Sequence, residues 1–158
     1  MKSLTVLLAL AVVFAFALVP MGSATVDDTL KCELYIELNW DWFSGTSPYT
    51  WIGTVQGDIN GEIFISLARV PDFFGKTEHF YEIWVIETDD GEIITGYDEG
   101  VWRFANYKWV ANGEVTGATG DYEYLVGYNM HYSGVTTEFP VPFGTPVNGT
   151  GVLILSSD

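Results

Sequence analysis

Few side chains in this sequence are placed to do chemistry, and Glu82 stands out among them. In the run Glu78 to Thr88 it shares a face with Phe80, Trp84 and Ile86 if the run is extended, because alternate residues of a strand point the same way. A carboxylate in an apolar stripe loses solvation, which raises its pKa towards that of a general acid. Arg69 is its counterpart, in phase with Ile63, Ile65 and Leu67. One reading is a polar pair inside a lumen, orienting a ligand or moving a proton. The plainer reading puts both at strand ends in water, and the scarcity of buried, unpaired Glu and Arg favours it.

Other chemistries find less support. His79 and His131 are the only histidines and Cys32 the only cysteine, whereas metal ligands come in sets, so no metal or cofactor site is expected. There is no G-x-S-x-G elbow and no cysteine with catalytic partners. The many carboxylates leave room for a glycosidase-like pair, which needs only two across a cleft. Asp58-Ile59-Asn60-Gly61-Glu62 and Asp89-Asp90-Gly91-Glu92 offer oxygen ligands but lack a spaced calcium loop, and hairpin geometry already explains them. Asn148-Gly149-Thr150 is a glycosylation sequon, meaningful in a host that glycosylates exported proteins.

Six Trp, nine Tyr and ten Phe are many for 158 residues. Core filling accounts for most of them, since each ring buries much apolar area. Trp40, Trp42, Trp51 and Trp84 nevertheless fall on several expected strands. If they line one lumen they form a site for a small apolar molecule; if they form an exposed flat row, they stack on sugar rings.

The N-terminus reads as a leader. Lys2 precedes an apolar run from Leu4 to Val19, Pro20 interrupts it, and Gly22-Ser23-Ala24 is a small-residue cleavage site. The run is shorter than the roughly 20 residues of a membrane-spanning helix. The expected organisation is a signal peptide at 1–24 and one domain at 25–158, secreted or at the cell surface, without stable membrane insertion. Without the leader, Lys31, Arg69, Lys76, Arg103 and Lys108 face 21 acidic residues, a balance that repels nucleic acid and anionic membranes. With one cysteine, no internal disulfide can form.

Beyond the leader the pattern is all-β. Cys32, Leu34, Ile36, Leu38, Trp40 and Trp42 alternate with polar residues over Lys31 to Trp42. Further strands are expected over Tyr49 to Gln56, Glu62 to Val70, Glu78 to Thr88, Glu92 to Tyr97, Val101 to Tyr107, Lys108 to Thr116 and from Tyr122 or Leu125 to Thr136. Asn60-Gly61 and Asp89-Asp90-Gly91 mark hairpins, and Pro71 to Thr77 and Phe139 to Pro146 read as loops. A last strand, Val152 to Leu155, can pair with the first. An antiparallel barrel of about eight strands in meander order is the economical fold because closure removes exposed edges; a β-sandwich is the alternative.

The residues Gly117-Ala118-Thr119-Gly120-Asp121-Tyr122, Leu125-Val126-Gly127 and Gly134-Val135 resemble a glycine-punctuated region of the allene oxide cyclase and dirigent-like barrels. The stretch Gly53 to Gly61 is similar to their early hairpin. The resemblance implies an eight-stranded barrel with an apolar lumen, in a group whose members are often trimeric, so homo-oligomers are expected. It transfers no catalytic residue. The reading is therefore an exported, non-enzymatic barrel that binds a small apolar or aromatic ligand or serves as a surface module. Carbohydrate binding through Trp40, Trp42 and Trp51, and an enzyme built on Glu82 and Arg69, are the alternatives. An outer-membrane barrel is a weaker one, since several strands are apolar in both phases.

Overall fold

A computed structural model describes residues 29–157. The expected leader at residues 1–24 lies outside the described residues. Nine strands run in chain order: β1 (Leu30–Leu38), β2 (Trp51–Gly57), β3 (Gly61–Leu67), β4 (Asp72–Phe74), β5 (Thr77–Thr88), β6 (Ile93–Arg103), β7 (Lys108–Ala118), β8 (Asn129–Thr136) and β9 (Asn148–Ser156). All neighbours pair antiparallel, β9 pairs with β1, and β3 pairs with β5. The result is a closed eight-stranded up-and-down barrel, with the short β4 paired to β5 beyond the point where β3 ends. Meander order and closure of the last strand on the first agree with the alternation in the sequence.

Inward residues follow the strict period of two. On β1, Cys32, Leu34, Ile36 and Leu38 are buried while Lys31, Glu33, Tyr35 and Glu37 are exposed. The outer surface carries Glu33, Glu37, Glu62, Glu87, Glu99 and Glu114 at strand positions, which is not the unbroken apolar band that a lipid-facing barrel presents. One end of the barrel is plugged. Ile59, from the β2–β3 turn, and Leu125, from a 3₁₀ helix over Gly120–Leu125, are fully buried there among Val55, Ile86, Ile94 and Val115.

Four local features depart from the sequence expectation. First, β1 stops at Leu38, and Trp40–Phe43 form a single helical turn, α1. Asn39 is the cause: its side chain accepts from the Asp41 amide at 3.2 Å and donates to Ser47 Oγ at 2.8 Å and the Tyr49 carbonyl at 3.0 Å. Those bonds hold the chain in a capped turn in place of the ladder. Second, Phe73 and Phe74 lie on β4 within the segment expected as loop, and both are exposed. Third, β6 is one strand where two were expected with a break before Val101. Fourth, β8 begins only at Asn129, where a strand from Tyr122 or Leu125 was expected.

The third difference shows what the strand glycines do. Gly96 and Gly100 face Trp84 and Phe80 directly across the ladder. A Cβ on Gly96 would lie 2.1 Å from Trp84 Cζ2, and one on Gly100 would lie 2.5 Å from Phe80 Cζ. Likewise Gly134 and Gly151 sit beneath Trp109, whose ring would be 1.5 Å and 2.1 Å from an added Cβ. These glycines do not break strands; they make room for rings laid across the neighbouring strand. In β6 the ladder also slips between Thr95 and Gly96, bending the wall.

Gly134→Ala and Gly96→Ala are each expected to destabilise the barrel by about 1–3 kcal/mol or more through overpacking. Urea unfolding followed by tryptophan fluorescence measures the loss; a midpoint unchanged from wild type would show that the rings can move aside.

Candidate functional site

The barrel end opposite the Ile59–Leu125 plug is open. A cavity of about 530 Å³ descends from it, lined by Ile36, Leu38, Trp51, Leu67, Phe80, Trp102 and Trp109 on the walls. Trp42 and Phe43 of α1, Phe73 of β4, Phe104 after β6 and Phe139 of the β8–β9 connection surround the mouth. Volume and lining are those of a small-molecule site. The rings brace one another: Trp102 lies 5.5 Å from Trp51, 5.0 Å from Phe104 and 4.9 Å from Phe139 between centroids, and its Nε1 donates to Thr136 Oγ1 at 3.1 Å. Such tilted and edge-on pairs fix the walls beyond what area burial alone contributes.

Acidic groups occupy the inner wall. Glu82 lines the cavity at 4 % exposure, and Tyr132 from β8 donates its O–H to Glu82 Oε2 at 2.5 Å. Asp98 stands directly across the ladder from Glu82, 2 % exposed, with neither carboxyl oxygen hydrogen-bonded. Glu78 lies on the same face of β5, nearer the mouth and half-buried. Trp109, also on the wall, has a buried Nε1 without a partner.

Burial dominates the protonation of this group. It pushes Glu82 up to about 8, against the Tyr132 hydrogen bond, with the nearby Glu78 charge raising it further. Burial also pushes Glu78 up to about 7. Asp98 is raised well above the usual carboxylate range by burial and then by Glu82. Tyr132 is raised by burial and by the two carboxylates beside it. No Lys, Arg or His lines the cavity among the described residues, so protonation is how the chain itself relieves the charge.

The residues singled out in the sequence separate here. Glu82 is buried in the lumen, in phase with Phe80 and Trp84, and not at a strand end in water, the reading that the sequence favours; Tyr132 supplies the partner that the sequence does not reveal. Arg69 is not: β3 and its alternation end at Leu67, and Arg69 is exposed outside the barrel. There it pairs with Asp72 at 3.3 Å and lies 3.4 Å over the outward Tyr81 ring. No pair with Glu82 forms. Trp51 and Trp42 line the cavity, while Trp84 is buried deeper over Gly96. Trp40 packs on Phe43 and Phe143 and donates from Nε1 to the Thr145 carbonyl at 2.9 Å. Trp40, Trp42 and Trp51 thus make no flat exposed row: Trp51 is 9 % exposed, and Trp42 meets Phe43 at 79°. Asn148 begins β9, its Oδ1 accepting from Tyr35 Oη at 3.1 Å.

Asp98, Glu78 and Tyr132 were not anticipated. Asp98 falls in the gap between the expected strands Glu92 to Tyr97 and Val101 to Tyr107; the alternation Ile94, Gly96, Asp98, Gly100, Trp102 carries the signal once Gly96 and Gly100 are taken as inward positions. His79 lies beside Phe74, His131 Nδ1 is 2.8 Å from Asn112 Oδ1, and among the described residues no metal-holding group of His, Cys, Asp and Glu occurs. No family model, curated protein or solved structure matches this chain.

The raised carboxyls set a pH dependence. Glu78 and Glu82 hold protons in the folded chain that they lose near 4.5 when unfolded. The folded state thus binds more protons, and stability falls as pH rises from about 4.5 to about 8. Glu82→Gln is expected to flatten that fall and raise the melting temperature most at the alkaline end. Thermal melts across the window test this, and an unaltered slope in the variant would remove Glu82 from the explanation.

Proposed function

We propose that this chain is an exported, non-enzymatic β-barrel that takes a small apolar or aromatic molecule into its lumen. The observation that carries the reading is the cavity of about 530 Å³, open at one end and walled by Trp51, Phe80, Trp102 and Trp109. An apolar molecule entering it leaves water at roughly 25 cal/mol per Å² of surface removed. The rings are held by one another and by the glycines beneath them, so little ordering opposes binding. Export is supported by the leader pattern of residues 1–24. Kinship with the allene oxide cyclase and dirigent barrels belongs to the same proposal and rests on the glycine-turn residues.

The alternatives lack their key arrangement. An enzyme built on Glu82 and Arg69 needs both in one cavity, and a sugar platform needs the tryptophans exposed and coplanar.

The neutral apolar fluorophore N-phenyl-1-naphthylamine should bind one-to-one and quench the tryptophan emission. Leu67→Trp, which fills the half-buried wall position Leu67, is expected to lower its affinity at least tenfold while leaving the circular dichroism spectrum intact. Native mass spectrometry of protein from its own host should release a stoichiometric small molecule. An empty protein that also ignores the probe would overturn the carrier reading.

A further inference from the structure

We propose that the lumen's occupant is an organic ammonium: an apolar body seated among the wall rings, with a protonated amine turned inward against Glu82 and Glu78. This rests on the reading of the lumen as a binding site and adds the chemical class of what it binds.

Two independent features of the cavity favour a cation. The first is its charge inventory. Glu78 and Glu82 line it, Asp98 stands across the ladder from Glu82, and no basic side chain among the described residues lines the cavity. Asp98 is 2 % exposed, yet neither of its carboxyl oxygens has a hydrogen-bond partner. Buried acceptors left without donors are rare in native proteins, because each forfeits its water without a replacement. Tyr132 supplies one donor to the group, and it goes to Glu82. An ammonium brings up to three N–H donors and a full positive charge to a place that is short of both.

The second feature is the wall itself. The rings of Trp51, Phe80, Trp102 and Trp109 line the same cavity. An ammonium near the face of such a ring is attracted by the ring quadrupole, and more strongly where water is excluded. Rings alone would accept any apolar guest. Rings together with carboxylates and no counter-charge discriminate among head groups.

Other head groups fare worse. A carboxylate-headed amphiphile would bring an ionised head into a low-dielectric site lined by no basic side chain among the described residues, and at the alkaline pH where Glu78 and Glu82 ionise it would also meet like charge. A neutral alcohol fits the rings but leaves the acids to be neutralised by protons from solvent. The exchange with an ammonium balances: R–NH₃⁺ and the Glu82 carboxylic acid become the R–NH₃⁺ carboxylate pair, and one proton leaves to solvent. Glu78 and Glu82 from β5 and Tyr132 from β8 line the cavity where this exchange takes place, with Asp98 of β6 behind them across the ladder from Glu82; burial raises Glu78 to about 7, Glu82 to about 8 and Asp98 well above the usual carboxylate range. Amine affinity should therefore rise with pH, by up to about tenfold per unit while one proton is exchanged.

The test uses octylamine, 1-octanol and octanoate, which share a tail and differ in head group, in competition with N-phenyl-1-naphthylamine and by titration calorimetry. At about pH 8.5 octylamine should bind at least tenfold more tightly than octanol, and octanoate more weakly than either. Between about pH 6 and about pH 8.5 the octylamine affinity should climb while that of octanol stays level. Calorimetry in buffers of different ionisation enthalpy should show proton release on amine binding only. Glu82→Gln and Glu78→Gln should abolish or reduce the amine preference yet keep octanol binding, whereas Glu99→Gln, on the outer surface, should change neither. Equal affinity for amine and alcohol, or a preference for octanoate, would overturn the ammonium assignment and leave the lumen reading standing. If none of the three nor the fluorophore binds, both fall together.

Discussion

The barrel depends on large rings lying across glycines of the neighbouring strands. Trp84 over Gly96, Phe80 over Gly100 and Trp109 over Gly134 and Gly151 fix where backbone and ring can approach, and any side chain at those glycines would occupy the ring's own volume. A small barrel has room for only a few inward side chains per layer. By spending some inward positions on glycine, this chain fits indoles that would otherwise overfill the section. The deeper layers are completed by aliphatic residues and sealed by Ile59 and Leu125. Near the other end Trp51 of β2 meets Trp102 of β6 across the lumen at 5.5 Å, and the cavity is the space left beside that contact.

Within that framework the polar groups are few and costly. Burying Glu82 and Asp98 opposite each other opposes folding, and the hydrogen bond from Tyr132 offsets only part of the lost hydration. A Gln or Leu at either position would relieve the fold of a buried acid. Native chains keep such groups where the surroundings use them, which is the physical reason the inner wall merits attention more than the acidic exterior.

Much of this was readable from residue order. The period-two alternation of β1 is unmistakable in Cys32, Leu34, Ile36 and Leu38, whereas the phase of Glu82 with Phe80, Trp84 and Ile86 offered the lumen only as the less favoured reading, because its partner Tyr132 lies on a distant strand. The misreadings have a common origin in side chains whose role depends on a distant partner. Trp40 and Trp42 continue the phase of β1, so the turn imposed by Asn39 through Ser47 and Tyr49 was hidden. The stretch from Asp98 to Gly100 looks like a break unless Phe80 opposite Gly100 is known, and Asp98 was lost with it. Arg69 kept the phase of Ile63 and Ile65 past the end of the strand, where phase no longer says which way a residue points. The open cavity has no local signature, since it is set by how rings from separate strands pack on one another.

Closure of the sheet through β9 on β1 joins the two ends of the described chain, Leu30 facing Leu155 and Glu37 facing Asn148. Until Asn148–Ser156 are available, β1 and β8 both present open edges and the lumen has no wall on that side. Closure of the lumen thus waits on β9, and pairings this distant in sequence form slowly. The same strand order that builds the pocket acts as a timer on its assembly.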